Sequence, residues 1–511
     1  MTIAYIPNDP VSGTPSRQIT PSPDRAAPKV GFAVAGLPVE QVYGPDSKEY
    51  AAWTAREAAL SAINAYEACA GALKAWQGTP PRMTLPLNTD AGQDVNAYYD
   101  RASLSFFESP IAGKTFYSGA SQDTVAHETG HAILDALRPD LWDAAMIEVS
   151  AFHEGFGDCI ALMTALSDQQ NRLAILKNDP KLANANPVET LVEALAAAVA
   201  AAFGPTINAA LPRHCRNDFR WLLPTQLPAD GPGTVLINEM HSLGQLLGGT
   251  FYRTIVGIFL RTKQDEAGLW QATKVAMWLL VNAVLRAPVK PRYFQSVGVN
   301  MLALDAAAYK GANSPDIRAA YNHHGIDVGS STLLTPQQPL GPVAAGFAAS
   351  GDTPLGSGGD RDLATLLGAP AGSTTNYRRV EFGARAVAVA SIDRAVDIGS
   401  LDPRLAGAVA VAPQEAFVGE SGGSAALLGA VDSGASISAE VRSFVETLLR
   451  RDDIAFDAPP AAAKKRAPRK PKGTGAVATP GTKTHAVTAG VTGSAPQLRR
   501  IAFACGCRHR P

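Results

Sequence analysis

The residues best suited to chemistry in this sequence form an H-E-x-x-H pattern, His127-Glu128-Thr-Gly-His131. Apolar residues around the pattern recur at helical spacing, and in a helix residues four apart lie on the same face. His127 and His131 can therefore present two imidazole nitrogens to one metal ion. Glu128 lies about 100° around the helix axis from His127, where it can act on a water molecule without being a ligand. Asp123 is the expected N-cap of this helix.

A catalytic zinc ion requires a third protein ligand, because two histidines leave its coordination incomplete. A second helical segment offers Glu154, followed four residues later on the same face by Asp158. Glu154 is expected to be the carboxylate ligand. Asp158 is expected to accept a hydrogen bond from a ligating histidine and so to fix its tautomer. His153 points about 100° away from Glu154 and is not expected to be a ligand.

The order H-E-x-x-H and then E-x-x-x-D resembles the glutamate-zincins, of which thermolysin is the best known. The resemblance covers roughly residues 85–328 and is strongest at the metal motifs. Upstream, Asn96-Ala97-Tyr98 is similar to the edge strand that holds the peptide substrate in this family. Downstream, His241 lies in a segment similar to the one that carries the histidine stabilising the tetrahedral intermediate.

The resemblance implies an α+β fold with a thermolysin-like, two-lobed catalytic unit. A small mixed sheet and the active-site helices come first, and a mainly helical lobe follows. One Zn²⁺ ion is implied, bound by His127, His131 and Glu154. The acidic residues that would complete the family's double calcium site are missing, so calcium is doubtful. The implied reaction is endopeptidase hydrolysis of a peptide or protein substrate.

The resemblance also implies catalytic roles. Glu128 is expected to take a proton from the zinc-activated water as general base and to pass it to the leaving amine. His241 is expected to stabilise the oxyanion. The family's usual tyrosine partner for the oxyanion has no clear counterpart between the two metal motifs. Glu239, two residues before His241, could orient this histidine, but on a helix its side chain would point elsewhere, so it is assigned no role.

Two alternatives to a general endopeptidase stay open. One is a catalytically silent zinc-binding scaffold or protein-interaction module that keeps the peptidase fold. The other is a peptidase with a narrow intracellular substrate. The presence of Glu128 favours an enzyme, because a purely structural metal site gains little from a base beside an open coordination position.

Composition and the family resemblance together divide the chain into five parts. Residues 1–45, rich in Pro, Ser and Gly, are expected to be disordered. Residues 46–165 are expected to form the N-terminal lobe with the active-site helices, and residues 166–328 the helical C-terminal lobe. A low-complexity C-terminal extension follows, with an accessory region of unknown role at 329–457 and a basic disordered tail at 458–511.

The tail carries two features with weak chemical signals. Its cluster of lysines and arginines, residues 464–472, could contact nucleic acid non-specifically, although a linker is favoured. Cys505-Gly-Cys507-Arg-His509 offers soft metal ligands, but three ligands on a flexible tail only weakly indicate a metal site.

The whole-chain composition limits the partners and the compartment. The 45 Lys and Arg residues nearly balance the 46 Asp and Glu residues, so no net field steers the chain to nucleic acid or membrane. The N-terminus lacks a signal-peptide pattern, and the longest apolar runs are too short to span a membrane. Five cysteines do not suggest a disulfide framework. A cytoplasmic location is expected, leaderless secretion stays open, and the oligomeric state is not predicted.

Overall fold

The computed structural model of the chain describes residues 1–205, 210–329, 336–342, 363–369, 373–421, 424–429, 431–456, 483–490 and 494–505. With 42% helix and 20% strand, the chain is mixed α and β, in agreement with the predicted α+β class. The helices of ten residues or more are α1 Lys48–Ala70, α2 Gln122–Leu137, α3 Ile147–Ser167, α4 Gln169–Asn178, α5 Glu193–Phe203, α6 Met240–Leu260, α7 Glu266–Val284, α8 Tyr293–Tyr309, α9 Ser314–His323 and α10 Gly434–Arg450.

The strands are mostly short. They are β1 Ile3–Tyr5, β2 Arg17–Ile19, β3 Gly31–Val34, β4 Thr84–Asn88, β5 Ala97–Tyr99, β6 Leu104–Phe106, β7 Glu108–Ile111, β8 Lys114–Tyr117, β9 Thr190–Leu191, β10 Arg213–His214, β11 Pro336–Pro342, β12 Asn376–Phe382, β13 Arg385–Asp397, β14 Val409–Ser421, β15 Ser424–Leu428, β16 Ile454–Ala455, β17 His485–Thr488, β18 Gln497–Arg500 and β19 Phe503–Ala504. Two sheets have more than two strands among these residues.

The first sheet lies beside the metal-motif helices and has the order β19-β5-β6-β4-β3. β5 pairs antiparallel with both β6 and β19, whereas β4 runs parallel to β3 and β6. Tyr99 of β5 is fully buried, and its hydroxyl donates to Asp135 of α2 at 2.9 Å. This bond ties β5 to the helix that carries the H-E-x-x-H pattern.

Helices α2, α3 and α6 pack closely around the metal motifs. Every residue of α3 from Ile147 to Leu166 is buried, which is typical of a helix at the centre of a core. Gly155 allows α3 to approach α6, because a Cβ atom there would lie 2.5 Å from the Gly244 carbonyl oxygen. The close approach brings the first turn of α6 beside Glu154.

The first 45 residues differ from the predicted disorder. They contain β1, β2 and β3, and the Pro7 carbonyl accepts hydrogen bonds from Gln122 at 2.9 Å and Asn171 at 2.7 Å. The Tyr5 hydroxyl also bonds to Gln122. Composition predicts low local structural preference, but these long-range hydrogen bonds order the segment, and they are not visible in its sequence.

The region at 329–457 forms most of the second sheet, which has β11, β15, β14, β18, β17 and β16 in order and β13 and β12 attached through β14. Hydrogen bonds join it to segments next to the helices: the Ala145 amide, just before α3, donates to the Val411 carbonyl at 3.0 Å, and the Val289 amide, just before α8, donates to the Glu415 carboxylate at 2.7 Å. β17, β18 and β19 lie within the predicted disordered tail, where pairing with distant strands orders them. The basic cluster at 464–472 lies outside the described residues.

One helix in the described part of the chain is long and apolar enough to cross a membrane, namely α6. Of its most apolar window, 78% is buried inside the protein, as is common for a core helix. Glycine and polar residues interrupt the sequence of α6, so α6 is not among the longest apolar runs of the chain. Cys69, Cys159, Cys215 and Cys505 are free thiols, so no disulfide links the described cysteines.

A buried carboxyl on α10 gives a prediction about stability. Burial raises the pKa of Glu440 from 4.5 to about 8, and nearby Glu148 and Asp432 add to the rise. Because the folded-state pKa exceeds the unfolded one, the unfolded state loses its proton first, and stability falls as pH rises from 4.5 to about 8. Glu440→Gln should therefore raise the free energy of unfolding by roughly 1–3 kcal/mol at pH 8.

Thermal unfolding of the Glu440→Gln chain at several pH values checks this expectation. The gain in melting temperature should shrink as pH falls and vanish below about pH 4.5, where the carboxyl is protonated in both states. Glu446→Gln, an exposed position on the same helix, is the matched control. A Glu440→Gln gain of equal size at pH 5 and pH 8 would contradict the assignment.

Candidate metal centre

The H-E-x-x-H helix begins one turn before the first histidine, and its N-cap is Ser121 rather than the predicted Asp123. The Ser121 hydroxyl accepts the Thr124 amide at 3.3 Å. Asp123 lies in the first helical turn, and its carboxylate accepts the Val192 amide at 2.6 Å. The prediction for Asp123 was wrong because both residues are good caps, and the backbone turns from extended to helical at Ser121.

Three predicted ligands converge at one point. His127, His131 and Glu154 are fully buried, and one ligand atom from each lies within 4.8 Å of the others. Glu154 Oε2 is 3.3 Å from His127 Nε2 and 3.7 Å from His131 Nε2. Ligand atoms in a tetrahedral site with metal–ligand distances of about 2.0–2.1 Å stand roughly 3.4 Å apart. The cluster therefore has the dimensions of a zinc site.

The same atoms lack hydrogen-bond partners among the described residues. Both histidine Nε2 atoms and both Glu154 carboxylate oxygens are buried without a hydrogen bond. Buried polar atoms are nearly always paired, and an ion that takes them as ligands removes the cost of leaving them unpaired. Burial also holds the pKa of His131 well below its ordinary value, which keeps its imidazole neutral. Two imidazoles and one carboxylate fit Zn²⁺ by chemistry as well as by geometry.

Neighbouring polar groups orient the ligands. His127 Nδ1 lies 2.9 Å from Asp158 Oδ1, which is the contact expected of Asp158. An Nδ1–H that donates to this carboxylate leaves the Nε2 lone pair directed at Glu154. Arg213 of β10 contacts the same Asp158 oxygen at 3.0 Å. His153 is not among the three ligands; its Nδ1 lies 3.2 Å from the Nδ1 of His131.

Glu128 lies beside the ligand cluster. It is fully buried, and burial raises the pKa of its carboxyl to about 7. A general base works best when its pKa is near the working pH. One of its carboxylate oxygens, a ring nitrogen of His127 and the thiol of Cys505 lie within 4.8 Å of one another.

His241 joins the same cluster from the first turn of α6. Its Nε2 lies 3.2 Å from Glu154 Oε2, and its Nδ1 lies 2.7 Å from Glu239 Oε1. The expectation that Glu239 points away was wrong. The helix begins at Met240, so Glu239 is the extended N-cap residue; it also accepts the Ser242 amide at 2.9 Å. Glu239 thereby fixes the ring orientation of His241.

The predicted substrate strand is not open at its outer edge. Ala97 and Tyr98 belong to β5, and Asn96 directly precedes it. β19, from the C-terminal part of the same chain, covers this edge, and the Cys505 amide donates to the Ala97 carbonyl at 3.0 Å. The structure thus brings the three residues near the metal cluster, but with a peptide strand already beside them.

Sequence reasoning missed three groups that touch the site: Glu239, Arg213 and the segment 503–505. The signal for Glu239 was available, since an acidic residue just before a helix is a common N-cap. Arg213 has no local signal, because only the pairing of β9 with β10 orients it. The soft ligand Cys505 was recognised as such, but its position depends on β19.

The position of His127 gives a prediction about packing. A Cβ atom on Gly157 would lie 2.7 Å from both Nδ1 and Cε1 of His127. Gly157→Ala should therefore displace the ring, break its contact with Asp158 and weaken zinc binding by about 10- to 100-fold. A competition titration with a chelator measures the change. Gly248→Ala is the control, because its nearest neighbour is the Cys215 sulphur at 3.3 Å. Equal zinc affinity in all three chains would contradict the packing argument.

Comparisons with known proteins do not extend this description. No protein-family model matches the sequence, and no curated protein is significantly similar to it.

Proposed function

We propose that this protein is a zinc-dependent endopeptidase with a thermolysin-like, two-lobed catalytic unit. The observation that carries the proposal is the buried cluster of His127, His131 and Glu154, at the spacing of a zinc site and with Glu128 beside it. A purely structural zinc site usually has four protein ligands, whereas three ligands and an adjacent base are typical of hydrolytic sites. Calcium has no place in the proposal.

Each polar residue of the cluster then has a role. When bound, zinc polarises a carbonyl group and lowers the pKa of a water molecule to about 7. Glu128 takes a proton from the attacking water and delivers it to the leaving amine. His241, held by Glu239 at 2.7 Å, donates from Nε2 to the oxygen that becomes negatively charged. Asp158 and Arg213 hold His127 in its ligating orientation.

The substrate class follows from β5. Its outer edge accepts an extended main chain, because β19 pairs there in antiparallel register with Phe503 opposite Tyr99 and Ala504 opposite Tyr98. Peptides that add a strand to a sheet gain affinity from main-chain hydrogen bonds and tolerate many side chains. An extended, unfolded segment of a peptide or protein is therefore the substrate that this strand supports best.

The second candidate is a catalytically silent zinc scaffold. The proximity of the Cys505 thiol to His127 and Glu128 favours it, because a fourth ligand would give the closed coordination of a structural site. The two candidates differ in whether peptide bonds are cleaved once Cys505 is removed.

The experiment that tests the proposal uses the full chain with Cys505→Pro, which removes both the thiol and the amide that bonds to Ala97. An unfolded protein is incubated with the zinc-loaded chain and with the same chain stripped of metal. Cleavage by the loaded form, lost on stripping and restored by zinc, supports the peptidase. Equal cleavage by both forms, or stoichiometric zinc binding without any cleavage, counts against it and favours the scaffold.

A further inference from the structure

The C-terminal segment Phe503–Cys505 lies along the strand that the proposed function assigns to substrate. Phe503 and Ala504 form β19, antiparallel to β5, and the Cys505 amide continues the pairing with the Ala97 carbonyl at 3.0 Å. β19 is thus the outermost strand of the five-stranded sheet. Its main chain occupies the edge where an extended peptide would bind.

Aromatic packing holds this segment against His131, one of the three clustered ligands, and against the neighbouring His153. The fully buried Phe503 ring stacks on His131 at a centroid distance of 4.6 Å and on His153 at 4.0 Å. The Arg500 guanidinium lies 3.9 Å from the centre of the same ring and bonds to the Trp142 carbonyl at 3.0 Å. The segment is therefore anchored immediately before it reaches the cluster.

The next residue, Ala504, contacts His241, the proposed donor to the oxyanion. The Ala504 carbonyl oxygen lies 3.1 Å from His241 Nε2, the atom that is assigned to the developing oxyanion of a substrate. A carbonyl oxygen at hydrogen-bond distance from this nitrogen is what a bound peptide would present. The main chain at Ala504 therefore occupies the position of a substrate carbonyl.

Cys505 follows beside the first histidine of the metal cluster. Its side chain is 5% exposed, and its sulphur lies within 4.8 Å of a ring nitrogen of His127 and a carboxylate oxygen of Glu128. The same His127 belongs to the cluster with His131 and Glu154, and its Nε2 atom lacks a hydrogen bond in the described structure. Thiolate sulphur is a preferred zinc ligand, with a bond of about 2.3 Å.

We propose that the segment Phe503–Cys505 is a resident pseudosubstrate, and that the Cys505 thiolate turns from Glu128 to become the fourth ligand when the metal binds, so that the full chain is a latent peptidase. The inference rests on the proposed function, because it assigns an occupant to the same site. Three consecutive residues contact the sheet edge, the oxyanion histidine and the metal cluster in the order that a substrate would. A protein substrate reaches the cluster only after this segment leaves, by displacement or by cleavage before Phe503.

The first test asks whether Cys505 reaches the metal, independently of activity. The full chain is loaded with one equivalent of Co²⁺, and sulphur-to-cobalt charge-transfer absorption is recorded in the near ultraviolet. We expect this absorption in the wild-type chain, its loss in Cys505→Ser and its retention in Cys69→Ser, a matched buried cysteine on α1. Circular dichroism and cobalt content verify that each variant is folded and loaded. A cobalt-loaded wild-type chain without the absorption overturns the inference.

The second test asks whether the segment inhibits hydrolysis and whether removing Cys505 relieves the inhibition. Hydrolysis of an unfolded protein by the zinc-loaded chains should be at least about tenfold faster in Cys505→Pro than in the wild type, because a tethered segment competes at an effective concentration near millimolar. Wild-type and Cys505→Pro chains that cut equally fast overturn latency but leave the peptidase intact. Sulphur-to-cobalt absorption without hydrolysis by any variant overturns latency together with the peptidase, and identifies Cys505 as a permanent ligand of a scaffold.

Discussion

Glu128→Gln, made in the Cys505→Pro chain, should lower the rate of peptide hydrolysis by about 10² to 10⁴-fold and leave the zinc content unchanged. Glutamine has nearly the same shape as glutamate but cannot accept the proton of the attacking water. Glu128 is not among the three clustered ligands His127, His131 and Glu154, so its replacement does not remove a metal–protein bond. The measurement is the initial rate on an unfolded protein at matched zinc content.

The control for this substitution is Thr129→Ser, the next residue on α2. Thr129 is buried, and its hydroxyl bonds to the Val125 carbonyl at 2.8 Å, which serine can also do. A comparable loss of rate in Thr129→Ser would show that any substitution at this point of α2 lowers the rate, so that the loss in Glu128→Gln could not be assigned to its carboxylate. Undiminished hydrolysis by Glu128→Gln would mean that another group is the base, or that the activity comes from a contaminant.

His241→Ala in the same Cys505→Pro chain should lower the turnover number by about 10² to 10³-fold, with zinc content again unchanged. The reason is that His241 Nε2 lies 3.1 Å from the carbonyl oxygen of Ala504, which we propose stands in for a substrate carbonyl. Its loss removes a donor to the transition state rather than a ligand. Turnover number and Michaelis constant are measured separately, because the larger change is expected in turnover.

Glu239→Gln provides the graded comparison for His241→Ala. The glutamine can still contact His241 Nδ1, now 2.7 Å from Glu239, but it cannot stabilise a positive imidazolium. The rate should fall between those of the parent and His241→Ala, and the pH–rate profile should change shape. Loss of zinc from His241→Ala would show that the histidine is a metal ligand and that its assigned role is wrong.

The metal motifs could be predicted because their geometry is local. In H-E-x-x-H, helical periodicity alone puts His127 and His131 on one face, and the same rule relates Glu154 to Asp158. Packing of the two helices against each other was then enough to bring the four side chains together. The observed distance of 2.9 Å between His127 Nδ1 and Asp158 Oδ1 agrees with that expectation. The mixed α and β class followed from the family that these motifs resemble.

Contacts between residues far apart in sequence could not be predicted in the same way. The first 45 residues and the strands after 483 have compositions typical of disorder, yet hydrogen bonds to Gln122, Asn171 and β5 order them. Predicting the contact of Glu239 with His241 required knowing where α6 begins. A shift of one residue in the helix start decides whether a side chain caps the helix or projects from it.

Residue type and helical spacing are short-range properties, so the pattern alone was enough to predict that His127, His131 and Glu154 form one cluster that could hold a metal. What lies against this cluster became visible only in the folded chain. The tertiary structure put the carbonyl of Ala504 at His241 and the thiol of Cys505 beside Glu128. These pairs are separated by hundreds of residues, and strand pairing and burial select such contacts only when the whole chain is folded.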